Sequence, residues 1–520
     1  MFTPRRSLPL LPITTLVSLL AVAPRGLAQD PCGTWSAVTT PNPTSSTHTF
    51  LSEVSVLSPT DVWVVGSKYV PVANSNETQT VAMHWNGSAW TSVPSPSPTP
   101  YPGGGWADFQ TVHAVSTNDV WAAGGQRIAA PDGFVGTHLM VQHWNGSQWS
   151  IVPAPVTIGG SGNFIDDIEV VAADDIWFVG DWLKFPPSSS AEKRALAMHW
   201  DGSGFTIFDT PFFDNAPIGG HGLTAISAVS SNDIWAVGGG HDGDYVNFSQ
   251  IVHWDGQQWS QKPGPTAGSF HRLYDVQAVS ANEVYAIGDY QDASGYHGLF
   301  MRWDGASWTR LPDPPVGGSS IEVLSPTQIY VGGGGVALWD GASWSVVATF
   351  PGVASPSIWS LEANGPCSLW GSGARWSSPD MLPLTVRLDS GAIGTNYCTV
   401  SPNSAGIGAR MSASGSTSLA QQNLLLRADG CPPNKPGLFL YALGTAQVPF
   451  GNGMRCVGGV LKRSPPLVIS PLGRASQLFN YAASPITAGS TWNFQLWFRD
   501  PQGGGAFFNL SDGLALTFQP

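Results

Sequence analysis

Charge is scarce in this chain: 11% of its 520 residues are Asp, Glu, Lys or Arg, against roughly 25% in an ordinary soluble domain. Only six are Lys, and 22 Lys+Arg face 35 Asp+Glu for a net charge of −13. No basic cluster is available to neutralise phosphates or to hold an anionic membrane, so neither nucleic acid nor membrane attachment by basic charge is expected. Long apolar runs are also missing. The best, Leu8–Ala23, is interrupted by Pro9 and Pro12 and falls short of the ~20 residues of a span. Cys-x-x-Cys does not occur among the five cysteines, which removes the usual zinc and redox spacings. Helical periodicity is absent too. Gly (61) and Pro (43) are abundant, and both interrupt helices.

What is present points outward from the cell. Residues 1–28 have the form of a signal peptide, with Arg5 and Arg6, an apolar stretch, and small Gly26 and Ala28 before a cut at Gln29. Loss of Arg5, Arg6 and Arg25 with this leader takes the mature chain to about −16. A secreted or surface-associated protein is expected, and an exported chain can form disulfides.

The 23 Trp are arranged in a repeat. An apolar strand is followed by a Ser-x-Asn-Asp turn, then a strand such as Ile-Trp-Ala-Val-Gly-Gly. After a gap comes His-Trp-Asn/Asp-Gly-x-x-Trp-Ser and a Pro-rich exit. The first aromatic is Trp63, Trp121, Trp177, Trp235, Tyr285 and Tyr330; the second is Trp85, Trp144, Trp200, Trp254, Trp303 and Trp339. Six copies are complete. A seventh is divided between Ile358–Trp376, with Arg375-Trp376 at the His-Trp position, and Cys32–Ser36 at the other end of the chain. Four short strands per copy, a to d, with the termini sharing one blade, predict an all-β chain: a seven-bladed β-propeller closed by an N-terminal strand. The expected boundaries are 29–380 for the propeller, with 29–44 as closing strand, 381–395 for a linker, and 396–520 for a C-terminal β-sandwich whose period-2 stretches separate Gly-Ser runs.

The repeat, Asp-Ile/Val-Trp-Ala-Val-Gly with His-Trp-Asp-Gly-x-x-Trp, resembles kelch-like propellers of the galactose-oxidase central-domain type over residues 31–380. The tail, through Asn396-Tyr397-Cys398, Gly430-Cys431-Pro432-Pro433-Asn434, Pro449–Gly453 and Arg499-Asp500-Pro501, is similar to a C-terminal domain of secreted proteins from aquatic bacteria. Some members of that family end in a Cys before the final Pro, where this chain has Gln519. That departure implies a Cys431–Cys456 bridge with Cys398 left over. A second bridge, Cys32–Cys367, is expected to lock the closing strand.

In an up-down meander the b–c and d–a loops share one face. Here the first and second aromatics are 22, 23, 23, 19, 18 and 9 residues apart in the six copies, so variation is confined to that face. Polar residues before strand a should ring the channel mouth there: His48, Glu53, Asp108, Asp166, Asp167, His221, His271, Arg272 and Asp275. Trp106 would suit stacking on a sugar. The repeated His84, His143, His199 and His253 belong to different blades and are expected to be structural. Asp61, Asp119, Asp175 and Asp233 are expected to cap their own turns, with calcium binding the alternative; otherwise no metal or cofactor is expected. Sialidase Arg and Asp-box patterns, a Cys–Tyr oxidase centre and Gly-x-Ser-x-Gly are all absent. The expectation is a monomeric, non-catalytic recognition protein for an extracellular glycan or protein. The alternatives are a carbohydrate-active hydrolase or lyase using mouth carboxylates and a structural surface protein.

Overall fold

The computed structural model describes residues 30–520 except 31, 44–45, 73–74, 98–104, 130–134, 156–162, 185–191, 212–220, 242–246, 269, 351–352, 365–367, 390–392, 407, 421, 423, 471–472 and 482–483; the expected leader lies outside the described residues. The described residues are all-β, with one short 3-10 turn at Pro501–Gly503 and no helix long and apolar enough to cross a membrane.

Each repeat folds as an antiparallel meander. In the fourth copy the strands are His221–Ser230, Asp233–His241, Asn247–Trp254 and Trp259–Gln261, hydrogen-bonded in chain order. Local chemistry explains its two tight turns. The Ser230 hydroxyl accepts the Asn232 N–H in the first, at 3.4 Å. In the second, Asp255 Oδ1 accepts the N–H groups of Gln257 and Gln258, both at 2.9 Å. Gly256 there has φ of +90°, and a Cβ on it would stand 2.6 Å from Asn232 Oδ1 in the neighbouring turn. The Asn/Asp-Gly step is therefore required twice over, by backbone conformation and by turn-to-turn contact.

Five four-stranded sheets have this form, and one eight-stranded sheet consists of two such meanders joined by the parallel pair Thr78–Trp106. Their innermost strands contact one another in succession, from His48–Ser58 through Trp106–Ser116, Phe164–Ala172, His221–Ser230, Phe270–Ser280, Ser320–Ser325 and Pro356–Ala363, and the last returns to the first. The sheets thus form a closed ring. Indoles fill the spaces between them. Trp177 packs on Trp254 and Trp259 of the next sheet with centroids 5.1 and 5.7 Å apart, and Trp235 packs on Trp303 and Trp308 at 5.1 and 5.6 Å. Each buried indole removes roughly 150–250 Å² from water, so the ladder is a principal source of ring stability.

The two chain ends meet in one sheet. Thr34–Val38 pairs with Asp380–Asp389, which pairs with Leu369–Ser377 and so with Pro356–Ala363. Two expectations are corrected here. Residues 381–389 are a sheet strand rather than the start of a linker, because Pro383 is accommodated opposite Ala374 inside the ladder. Arg375-Trp376 closes the second strand and does not occupy the His-Trp position. Arg387 stands there instead, opposite Trp370, with its guanidinium carbon 5.8 Å from that ring. Trp370 then packs on Trp85 and Trp90 of the first repeat at 5.3 and 5.5 Å.

The tail builds a seven-stranded sheet around Pro436–Ala442, Thr491–Arg499 and Gly513–Thr517, a three-stranded sheet of Arg410–Ser414, Leu425–Asp429 and Ala475–Leu478, and a hairpin, Gly444–Phe450 with Gly453–Gly458. The two larger sheets share one core that includes Met411, Leu426, Phe439, Phe494 and Leu514. The cysteine pairing differs from expectation. Cys398 is bridged to Cys456, Cα to Cα 5.9 Å, and Cys431 is a buried free thiol. Pairing of Thr395–Tyr397 with Gly513–Thr517 brings the Tyr397 hydroxyl to the Cys456 carbonyl at 3.0 Å and seats Cys398 beside it, whereas Cys431 belongs to the shared core. Cys367 lies outside the described residues; Cys32 is buried, with its sulfur 3.3 Å from Gln328 Nε2.

Candidate functional site: the central channel

An innermost strand has a ladder partner on one side only. Its other edge faces the ring axis, where an unpaired N–H would be costly. Side chains from the preceding sheet satisfy that edge. Glu53 accepts the Val112 N–H, Asp167 that of Ile226 and Asp275 that of Ile321, each at 2.8 Å. Glu362 accepts the Val56 N–H at 3.0 Å, joining the last sheet to the first. A second tier lies opposite the repeat aromatics. There Ser55 accepts from Ala114 at 3.0 Å, Ser227 from Ala278 at 3.1 Å, and Gln277 from Val323. Glu169 and Glu322 hydrogen-bond in the same way to the backbone of Ala228 and Ala363. The sheets are stapled to one another by their channel side chains.

These staples surround a cavity of about 270 Å³, lined by Glu53, His113, Asp167, Glu169, Asp275 and Glu362 among others. Their electrostatics are uniform. Burial pushes Glu53, Glu169 and Glu322 up to about 8, Glu362 to about 7 and Asp275 to about 6. Asp167 is raised well above the carboxylate range by burial and then by the charges of Glu53 and Asp275. Desolvation holds His113 down to about 4, so its imidazole is neutral. No group of three His, Cys, Asp or Glu side chains among the described residues converges on a metal position.

The mouth residues divide into two sets. Glu53, Asp166, Asp167 and Asp275 line the cavity together. The others do not. His48 accepts the Met381 N–H at 3.0 Å and His271 accepts the Ser249 N–H at 3.0 Å, so both imidazoles bind a neighbouring sheet. Asp108 takes the Gln110 amide at 2.8 Å and is pushed up to about 6 by burial. Trp106 packs edge-on to Phe164 at 5.3 Å. Arg272 is exposed and lies 5.6 Å from the Tyr274 ring centre. His221 begins its strand, and its side chain lies outside the described residues.

Sequence reasoning missed Glu169, Glu322 and Glu362. They stand opposite the repeat aromatics Trp177, Tyr330 and Trp370. A carboxylate inside an apolar strand at that offset was the available signal. The repeat carboxylates also do something other than cap their turns. Asp61, Asp119, Asp175 and Asp233 each meet Nε2 of His84, His143, His199 and His253 at 2.7–2.8 Å, and the imidazoles pack, tilted, against the first Trp with ring centres 4.5–4.7 Å apart.

No protein-family description matches this chain, and no curated protein does. Among solved structures it is similar to the WD40 β-propeller domain of Doa1, at 13% identity and TM-score 0.38, over 66% of this chain and 96% of that one. It is also similar to YCF48 from Cyanidioschyzon merolae, at 13% identity and TM-score 0.32, over 68% and 98%. A protein of unknown function from Dyadobacter fermentans gives 10% identity and TM-score 0.41 over 66% and 95%. At such scores the ring of meanders described above remains the ground for the fold: this is a β-propeller with a further β-unit at its C-terminus.

Proposed function

We propose that the protein is an exported, non-catalytic recognition protein that binds an extracellular glycan or protein on the variable-loop face of a seven-bladed, kelch-like β-propeller. In this reading residues 1–28 are the leader, 29–389 the propeller and 395–520 a C-terminal β-sandwich. Counting the eight-stranded sheet as two blades supports the number seven.

The observation that carries the non-catalytic reading is the shared direction of the channel carboxylates. A glycosidase needs two carboxyl groups whose surroundings drive them apart, one kept protonated and one ionised. Here the six channel carboxyl groups Glu53, Asp167, Glu169, Asp275, Glu322 and Glu362 all shift upward, and each accepts a backbone N–H group of the next sheet. Their work is to hold the ring. The Cys398–Cys456 bridge is consistent with an oxidising compartment.

Glycan-array binding of the mature chain, with turnover assays on every hit, tests this. Binding weakened by Trp106→Ala and kept by Glu53→Gln is expected. Bond cleavage in a hit glycan that disappears in Glu53→Gln or Glu362→Gln would overturn it.

A further inference from the structure

The propeller and the tail have opposite charge. Residues 29–389 contain eleven Lys+Arg against 32 Asp+Glu, whereas 395–520 contain eight against three. The three tail carboxylates are all occupied within the fold. Asp429 accepts Arg474 Nε at 2.8 Å. Asp500, fully buried, accepts the Ser404 N–H at 3.1 Å, and Asp512, 2% exposed, accepts from Asn396 at 3.0 Å. The cations are distributed differently. Lys462 and Arg463 are exposed on a two-residue strand at the outer edge of Pro436–Ala442, opposite Tyr441 and Leu440. Val468 stands opposite Pro436 on the same edge, next to half-buried Lys435. Among the described residues, none of these three cations has an ion-pair partner.

We propose that this edge, Lys435 with Lys462 and Arg463, is a docking strip for a linear acidic polysaccharide. Five residue steps from Pro436 to Tyr441 make it about 17 Å long, with cations at both ends and no carboxylate between them. That shape suits an extended polyanion better than a compact anion. A lipid surface fits less well, because the exposed apolar side chains beside the cations, Val460 at 81% and Val468 at 73%, are small aliphatics, not the Trp and Phe that seat a protein among headgroups. The proposal deepens the recognition reading with a second site; it rests on that reading only in taking the polyanion to be a glycan.

The test uses the full mature chain. Affinity electrophoresis in polyuronate and in dextran sulfate, with neutral dextran as control, is run at about 20 mM and about 200 mM salt. Retardation by both polyanions and not by dextran is expected, weakening at least about tenfold at the higher salt as counterion release requires. The triple variant K435Q/K462Q/R463Q should lose about tenfold or more in affinity with an unchanged melting point. Trp106→Ala should leave this binding intact while weakening any ligand of the variable face, so the two sites fail independently. Four outcomes overturn the proposal: no polyanion binding by the wild-type chain, equal binding by the triple variant, binding to phosphatidylglycerol vesicles without polyanion binding, or low-salt self-association in its place.

Discussion

The Tyr330 hydroxyl donates to Asp30 Oδ1 at 3.0 Å, across 300 residues of chain. Asp30 also accepts the Cys32 N–H and the Trp35 indole N–H, both at 2.9 Å, and is 3% exposed. Its carboxylate ties the closing strand to the sheet before it, in place of the aromatic–His–Asp arrangement used by the first four repeats. Asp30→Ala would leave the phenol and the indole without their acceptor, a cost of about 2–4 kcal/mol. Deleting residues 29–44 would expose two sheet edges. Thermal scans and size exclusion should show a large fall in melting temperature for the first and aggregation for the second. A truncated chain that stays monodisperse with its melting point unchanged would contradict the closure.

The channel carboxylates predict an unusual pH dependence. Their folded pKa values are raised, to about 8 for Glu53, Glu169 and Glu322, so the native ring keeps protons that the unfolded chain releases near pH 4. Between about pH 4 and 8 the native state binds more protons, and stability falls as pH rises. His113, held down to about 4 by burial, opposes this trend between about pH 4 and 6.5, where the unfolded imidazole binds a proton that the folded one lacks, but one imidazole is outnumbered by the raised carboxylates; Arg474 slightly favours the charged form of Glu362. The melting temperature should be higher at pH 5 than at pH 8 by about 5 °C or more. Glu322→Gln keeps an acceptor for Ala363 and should narrow that difference. A melting point that rises steadily from pH 5 to 8 would refute the assignment.

Non-reducing peptide mapping should find Cys398 linked to Cys456. Cys431, its thiol pushed up to about 12 by burial, should resist alkylation until the tail unfolds. The proposed Cys32–Cys367 link is checked in the same digest, where two alkylated peptides in the native protein would remove it.

His199 joins Asp175 at 2.8 Å and packs, tilted by 38°, against Trp177 with ring centres 4.6 Å apart. His199→Ala should cost about 1–2 kcal/mol through the lost hydrogen bond and ring contact, with no effect on ligand binding. Calorimetry together with a binding assay separates the two. Loss of binding at native stability would show that the imidazole is functional.

Much of the ring was legible because its repeat is local. The Asn-Asp turn, the Asn/Asp-Gly turn and the five-residue step from Trp254 to Trp259 are set by backbone conformation and nearest-neighbour contact, and the final Trp-Ser at Trp35 placed the closing strand correctly. Where the repeat decayed, after Trp370, the same logic put the His-Trp position at Arg375-Trp376, whereas Arg387-Leu388 stands there. Only packing showed that Trp370 meets Trp85 and Trp90. The site followed the same division. Sequence expected all the polar residues before strand a to ring the channel mouth; Glu53, Asp167 and Asp275 line the cavity, but His48 and His271 are acceptors for adjacent sheets. The amino-acid sequence by itself determined the meander, its turns and the inward position of the channel side chains, since those depend on residues a few positions apart. The tertiary structure decided which N–H each carboxylate receives, which proton it keeps and which cysteine Cys456 meets. Those depend on desolvation and on groups tens to hundreds of residues away, brought together only when the ring and the tail core close.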